Sequence, residues 1–107
     1  MNKLVKLVRL NGLQFNANRD PQVYRRAVGE AFRIQALLGE GGVARCALTD
    51  AAGRVIASSE VPGGGTFTHD LRFDAPGVHV ITLAAVRDGD AFTQDLRLDV
   101  LAHAWVG

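Results

Sequence analysis

From Gly29 onward, apolar residues recur at every second position, and Gly-, Asp- or Pro-containing turns interrupt the pattern roughly every ten residues. A period of two puts successive side chains on opposite faces of an extended chain, whereas a helix needs recurrence every three to four residues. Phe32, Ile34, Ala36 and Leu38 alternate with Arg33 and Gln35, and Ala44, Cys46 and Leu48 alternate with Arg45 and Thr49. Phe67, His69, Leu71 and Phe73 lie opposite Thr68, Asp70 and Arg72, and Phe92, Leu96, Leu98 and Val100 lie opposite Thr93, Asp95, Arg97 and Asp99. The pattern predicts strands over 31–38, 54–61, 66–73, 78–87 and 91–101, with a further strand carrying Cys46.

The turns agree with this reading. Asp74-Ala75-Pro76-Gly77 separates two strands, Pro76 presetting φ and Gly77 accepting a positive one. Asp50-Ala51-Ala52-Gly53 and Asp88-Gly89-Asp90 are hairpin signals, and Gly39-Glu40-Gly41-Gly42 is a turn. Pro62-Gly63-Gly64-Gly65 is expected to be the loosest link. Short alternating strands at this spacing indicate an all-β, antiparallel β-sandwich of about seven strands. Its core is expected to hold Phe32, Ile34, Cys46, Leu48, Leu71, Phe73, Ile81, Leu83, Leu96 and Leu98.

The first thirty residues are less regular. Leu4, Val5, Leu7, Val8 and Leu10 fit a short amphipathic helix with Lys3, Lys6 and Arg9 on one side. The valines, the shortness and the following Asn11-Gly12 favour a strand ending in a turn. Residues 11–22 read as a loop or arm anchored by Leu13 and Phe15, and residues 22–28 as a short edge strand with Pro21 just outside it. The organisation expected is a strand and polar arm over 1–26, a sandwich over 27–101 and a tail over 102–107.

With 107 residues, 48% apolar and 21% charged, the chain has the composition of one globular domain. A net charge of +1 argues against a dedicated nucleic-acid binder, although residues 1–30 carry six cations against Asp20 and Glu30. The single cysteine, Cys46, cannot form an intrachain disulfide, which suits a reducing compartment. Charges interrupt the N-terminal apolar residues, so neither a secretory signal nor a membrane span is expected, and synthesis in the cytoplasm is.

Residues 27–101 resemble bacterial immunoglobulin-like domains of the PKD-related kind. Val28-Gly29-Glu30-Ala31-Phe32-Arg33-Ile34 resembles the lead into the second strand of such domains, and Leu48-Thr49-Asp50-Ala51-Ala52-Gly53-Arg54-Val55 resembles a hairpin between their middle strands. Phe73 to Val86 is similar to their Pro-Gly corner and the strand after it, with His79 where the family usually has tyrosine. The resemblance implies a fold and carries no function.

Chemistry-bearing residues are sparse. His69, His79 and His103 lack metal-ligand spacing, the turn aspartates suit local capping, and Cys46 falls in an apolar set. No catalytic site, metal or cofactor is expected. Binding signals are stronger. Residues 78–86 are apolar on both faces, Val78, Val80, Ala84 and Val86 forming the outward set around Thr82. Such a stripe needs cover, from the N-terminal segment or from another subunit. Trp105 stands beyond the last predicted strand, where an indole suits a partner's pocket or an end of the sandwich. The expected function is a non-enzymatic Ig-like assembly module, a small structural or decorating subunit docking on a larger complex such as a virion. Its contacts with a protein partner or a second copy are expected through Lys3, Lys6, Arg9, Val78, Val80, Val86 and Trp105. A carbohydrate-binding or adhesion module is the alternative, and an accessory subunit of an enzyme a remote one.

Overall fold

A computed structural model describes residues 4–16, 18, 20 and 24–102. Nine strands form among them: β1 (Val5–Leu10), β2 (Leu13–Gln14), β3 (Arg26–Ala27), β4 (Phe32–Leu38), β5 (Ala44–Thr49), β6 (Val55–Val61), β7 (Thr66–Leu71), β8 (Gly77–Arg87) and β9 (Asp90–Leu101). One sheet has the order β2-β1-β4-β7, the other β3-β9-β8-β5-β6. The all-β reading stands, but the plain antiparallel sandwich of about seven strands does not. The chain leaves the four-stranded sheet after β2, crosses to the other sheet at β3, and returns at β4. The expected edge strand over 22–28 reduces to the two residues of β3, which run parallel to β9 and make that sheet mixed.

Val28-Gly29-Glu30 forms the return turn. Glu30 N–H donates to the Ala27 carbonyl at 3.0 Å, and the Glu30 carboxylate accepts the Ala27 N–H at 2.7 Å. Gly29 sits at φ +82°, the conformation a turn of this kind requires of its third residue. Asn11-Gly12 and Asp88-Gly89 are both two-residue hairpin loops with positive φ throughout, joining β1 to β2 and β8 to β9. That geometry matches the right-handed twist of the flanking strands.

The N-terminal segment is a strand despite its charges at every third position. A bulge between Val5 and Leu7 shifts the register of β1 on β4, so Val5, Val8 and Leu10 all turn inward while Lys6 and Arg9 stay in solvent. An extra residue in one strand converts a spacing of three into one compatible with a pleat. Because β1 pairs with β2 on one edge and β4 on the other, it is no free arm for a neighbour's sheet. Leu13, an expected anchor, is exposed, whereas Phe15 packs on the core.

The core lies between the sheets. Phe32, Ile34, Cys46, Leu48, Ile81, Leu83, Leu96 and Leu98 are buried as expected. Leu71 and Phe73 are only half-buried, because they stand at the end of β7 where the layers open. Tyr24 was absent from the expected core and is nearly fully buried. Its hydroxyl donates to the Gln14 carbonyl at 3.0 Å and accepts the Asn16 N–H at 3.1 Å, which ties the crossover to β2.

The Pro-Gly-Gly-Gly link is pinned and not loose. Gly64 N–H donates to the Gly39 carbonyl, Leu38 N–H donates to the Gly65 carbonyl, and Arg87 reaches over to donate to the Gly39 carbonyl at 3.0 Å. A Cβ on Gly63 would lie 2.1 Å from the Gly41 carbonyl oxygen, so the two glycine loops approach more closely than any side chain permits. On this side of the molecule the sheet edges are the full strands β6 and β7; on the other the two-residue β2 and β3 flank only one end each of β1 and β9.

Candidate functional site: the outer face of the five-stranded sheet

Strand register determines which side chains share the outer face. Thr82 of β8 lies between Thr49 of β5 and Asp95 of β9, and Val55 of β6 follows Thr49. The next row reads Ser58, Ala47, Ala84, Thr93, and the third Glu60, Arg45, Val86, Ala91. Beyond the end of β5, Val80 faces Arg97 and Val78 faces Asp99. The middle of the face is built of small residues, so it is flat. Val55, Val78, Val80 and Val86 rise from it at 59, 56, 41 and 52% exposure. They are four of the six large apolar side chains exposed among the described residues.

Charges on this face are paired at the margins. Arg45 meets Glu60 at 3.2 Å, Arg97 meets Asp99 at 2.9 Å, and the Thr82 hydroxyl donates to Asp95 at 2.8 Å. Such exposed pairs add little to stability. The valines stand among Thr49, Thr82 and Ala84 on a face edged by these paired charges.

At the Gly77 end the face dips into a groove. The β5–β8 ladder stops at Thr49 opposite Thr82, so Gly77–Ile81 pairs only with β9. The space beside it, about 410 Å³, is bounded by the Asp50–Ala52 turn, Ile56, Phe73 and the stretch from Val78 to Ile81. Asp50 accepts the N–H groups of Ala52 and Arg54 at 3.0 and 2.9 Å, which holds the turn forming one wall.

The expected contact residues separate into groups. Val78, Val80 and Val86 share one face. Lys6 and Arg9 are exposed on β1, in the opposite sheet, so they do not join the valines in one surface. Lys3, His103 and Trp105 lie outside the described residues. Val55 joins the patch unforeseen. Simple alternation along 54–61 groups it with Ala57 and the buried Val61, but an irregularity in β5–β6 pairing beside Thr49 turns it outward. No local sequence signal marks that shift.

Other surfaces are less developed. A polar hollow lined by Asn11, Arg26, Arg33, Gln35 and Asp70 has its Arg33 engaged in a two-pronged pair with Asp70, at 2.9 and 3.2 Å. That hydrogen bond raises the Arg33 pKa and holds the Asp70 carboxyl below its ordinary value. Burial pushes the Cys46 thiol up, away from the reactive thiolate. Among the described residues no three His, Cys, Asp or Glu side chains are grouped to hold a metal. Comparison with protein-family models and with curated proteins returned no match, so the geometry alone carries the functional reading.

Proposed function

We propose that this chain is a non-enzymatic Ig-like assembly module, a small structural or decorating subunit that docks on a larger protein complex such as a virion. The carrying observation is the flat outer face on which Val55, Val78, Val80 and Val86 stand exposed. Large apolar side chains gathered on one exposed sheet face mark a candidate contact surface. The Ig-like part of the reading is supported by strand order: β1-β4-β7 opposite β9-β8-β5-β6 follows the order of the A, B, E and G, F, C, C′ strands of such domains.

A sugar-binding reading has less support. Among the described residues Phe32 and Phe67 are buried, Phe92 is half-buried against the core, Phe15 lies against Tyr24, and Phe73 lies against His79, which leaves no flat aromatic platform. The docking reading is tested by sedimentation of the purified chain alone and with its native particle. Val86→Glu is expected to weaken association at least tenfold while leaving the far-UV circular dichroism unchanged. Unchanged association in Val86→Glu and in Val55→Glu removes this face from the function.

A further inference from the structure

We propose that the groove beside Val78–Ile81 takes an extended segment of a partner protein, which pairs with the open edge of β8. The backbone selects this occupant. Arg87 and Asp90 face each other across the two-residue Asp88-Gly89 loop, so Arg87 turns its backbone N–H and C=O toward β9. Along a strand these groups point to alternate neighbours, and the β8–β9 register runs without a shift. Ile81 and His79 therefore bond to β9, while Thr82, Val80 and Val78 turn their backbone groups the other way. The β5 side gives the same phase. Asp50 N–H donates to the Arg54 carbonyl, so Thr49 faces β8, and its hydroxyl donates to the Thr82 carbonyl at 3.5 Å. Because β5 stops there, the N–H and C=O of Val80 and Val78 meet no strand, and no other described residue bonds to them. A row of open main-chain groups is matched by another strand, whose pairing asks for extension and little else of its sequence.

The space selects further. A strand paired with β8 sends alternate side chains inward, beside His79 and Ile81, onto Ile56 and Phe73. That space is about 410 Å³, so the inward side chain is apolar. Every described strand of the chain already has its place in a sheet, and β9 runs on past Gly77, away from the gap. The segment therefore comes from another protein.

The inference rests on the docking reading for the existence of a partner, yet the two fail separately, since Val55 and Val86 stand outside the groove. Amide hydrogen exchange of the full chain reads the groove directly. In the isolated protein the Val78 and Val80 amides are expected to exchange on the order of a hundredfold faster than those of His79 and Ile81. A phage-displayed library of random hexapeptides, selected on the full chain, supplies the probe. Selected peptides are expected to carry apolar residues at alternate positions, and a synthetic one to slow exchange at Val78 and Val80 at least tenfold. Val80→Pro deletes an open donor without losing a bond inside the chain, and is expected to weaken that peptide at least tenfold. Ala51→Arg, which crowds the opposite wall, repeats the test if Val80→Pro fails to fold. Slow exchange of Val78 and Val80 in the isolated chain overturns the proposal, because the edge is then already covered. Failure of every selected peptide to distinguish the native chain from these variants overturns it as well. Protection by peptide, with particle association unchanged in Val86→Glu and Val55→Glu, keeps the groove and removes the valine face; the reverse result removes the groove alone.

Discussion

His79 stacks on Phe73 with ring centroids 4.1 Å apart, and its Nε2 lies 3.0 Å from the carbonyl oxygen of Ala75. Since a carbonyl only accepts, the Nε2–H donates, which fixes the tautomer. One imidazole thus closes the corner between β7 and β8 by a ring contact and a hydrogen bond to backbone four residues upstream. Tyrosine corners of Ig-type domains use the same kind of bond. His79→Phe keeps the stack and is expected to cost about 0.5–1.5 kcal/mol for the lost bond. His79→Ala, which loses both, should cost more in urea unfolding. Equal costs for the two variants would show the hydrogen bond to be idle.

Leu83 is fully buried at the centre of β8. Leu83→Ala is expected to lose about 2–5 kcal/mol, the usual range for emptying a packed site. A loss under about 0.5 kcal/mol by chemical denaturation would place this side chain outside the core, where deletions cost little.

Two glycines separate steric from conformational demands. Gly12→Ala places a Cβ in open space at φ +82° and should cost about 1–2 kcal/mol for the left-handed backbone alone. Gly63→Ala drives a Cβ into the Gly41 backbone, so the two loops must part. Its cost is expected to exceed that of Gly12→Ala, and amide exchange of Gly64 and Leu38 should accelerate.

Cys46 is fully buried and its thiol pKa is raised by that burial. Modification by a thiol reagent should therefore follow unfolding, with a rate that rises with urea in step with loss of the β spectrum. Rapid labelling of the native chain would contradict the packing described.

The Arg33–Asp70 pair makes a signed prediction. Asp70 titrates lower in the folded chain than when unfolded, so its contribution is present above the unfolded carboxyl pKa, about 4, and is lost as pH falls through the folded value. Arg33→Ala should narrow the stability difference between neutral and acid pH. Because both groups are solvent-exposed, salt should narrow it too.

Much of this fold was legible where a strand keeps its alternation from end to end. The inward sets of β4, β5, β8 and β9 can be read from residue types alone, and so can the outward Val78, Val80 and Val86. The rest depended on events that alternation does not encode. The bulge beside Lys6 let a strand carry charges at every third position, and the irregularity beside Thr49 turned Val55 to solvent. Tyr24 became core because a crossover laid it between sheets, and no alternation around it, between Val23 and Arg25-Arg26, marks it as inward. The groove arises from a length mismatch, β8 outrunning β5, which is visible only once strands are paired. Glycine richness suggested slack in Pro62–Gly65, whereas contact with a second glycine loop made it tight.

The sheet edges bear on how copies of this protein can join. Exposed β6 and β7 offer rows of backbone groups on one flank, and a second molecule can extend either sheet there. On the opposite flank β2 covers only Arg9 and Leu10 of β1, and β3 only Val100 and Leu101 of β9. Among the described residues the rest of the twelve-residue β9 has no strand on that side. Side chains guard it in place of a partner: Asp95, Arg97 and Asp99 alternate along the open length, and charges on an edge strand discourage pairing with another chain.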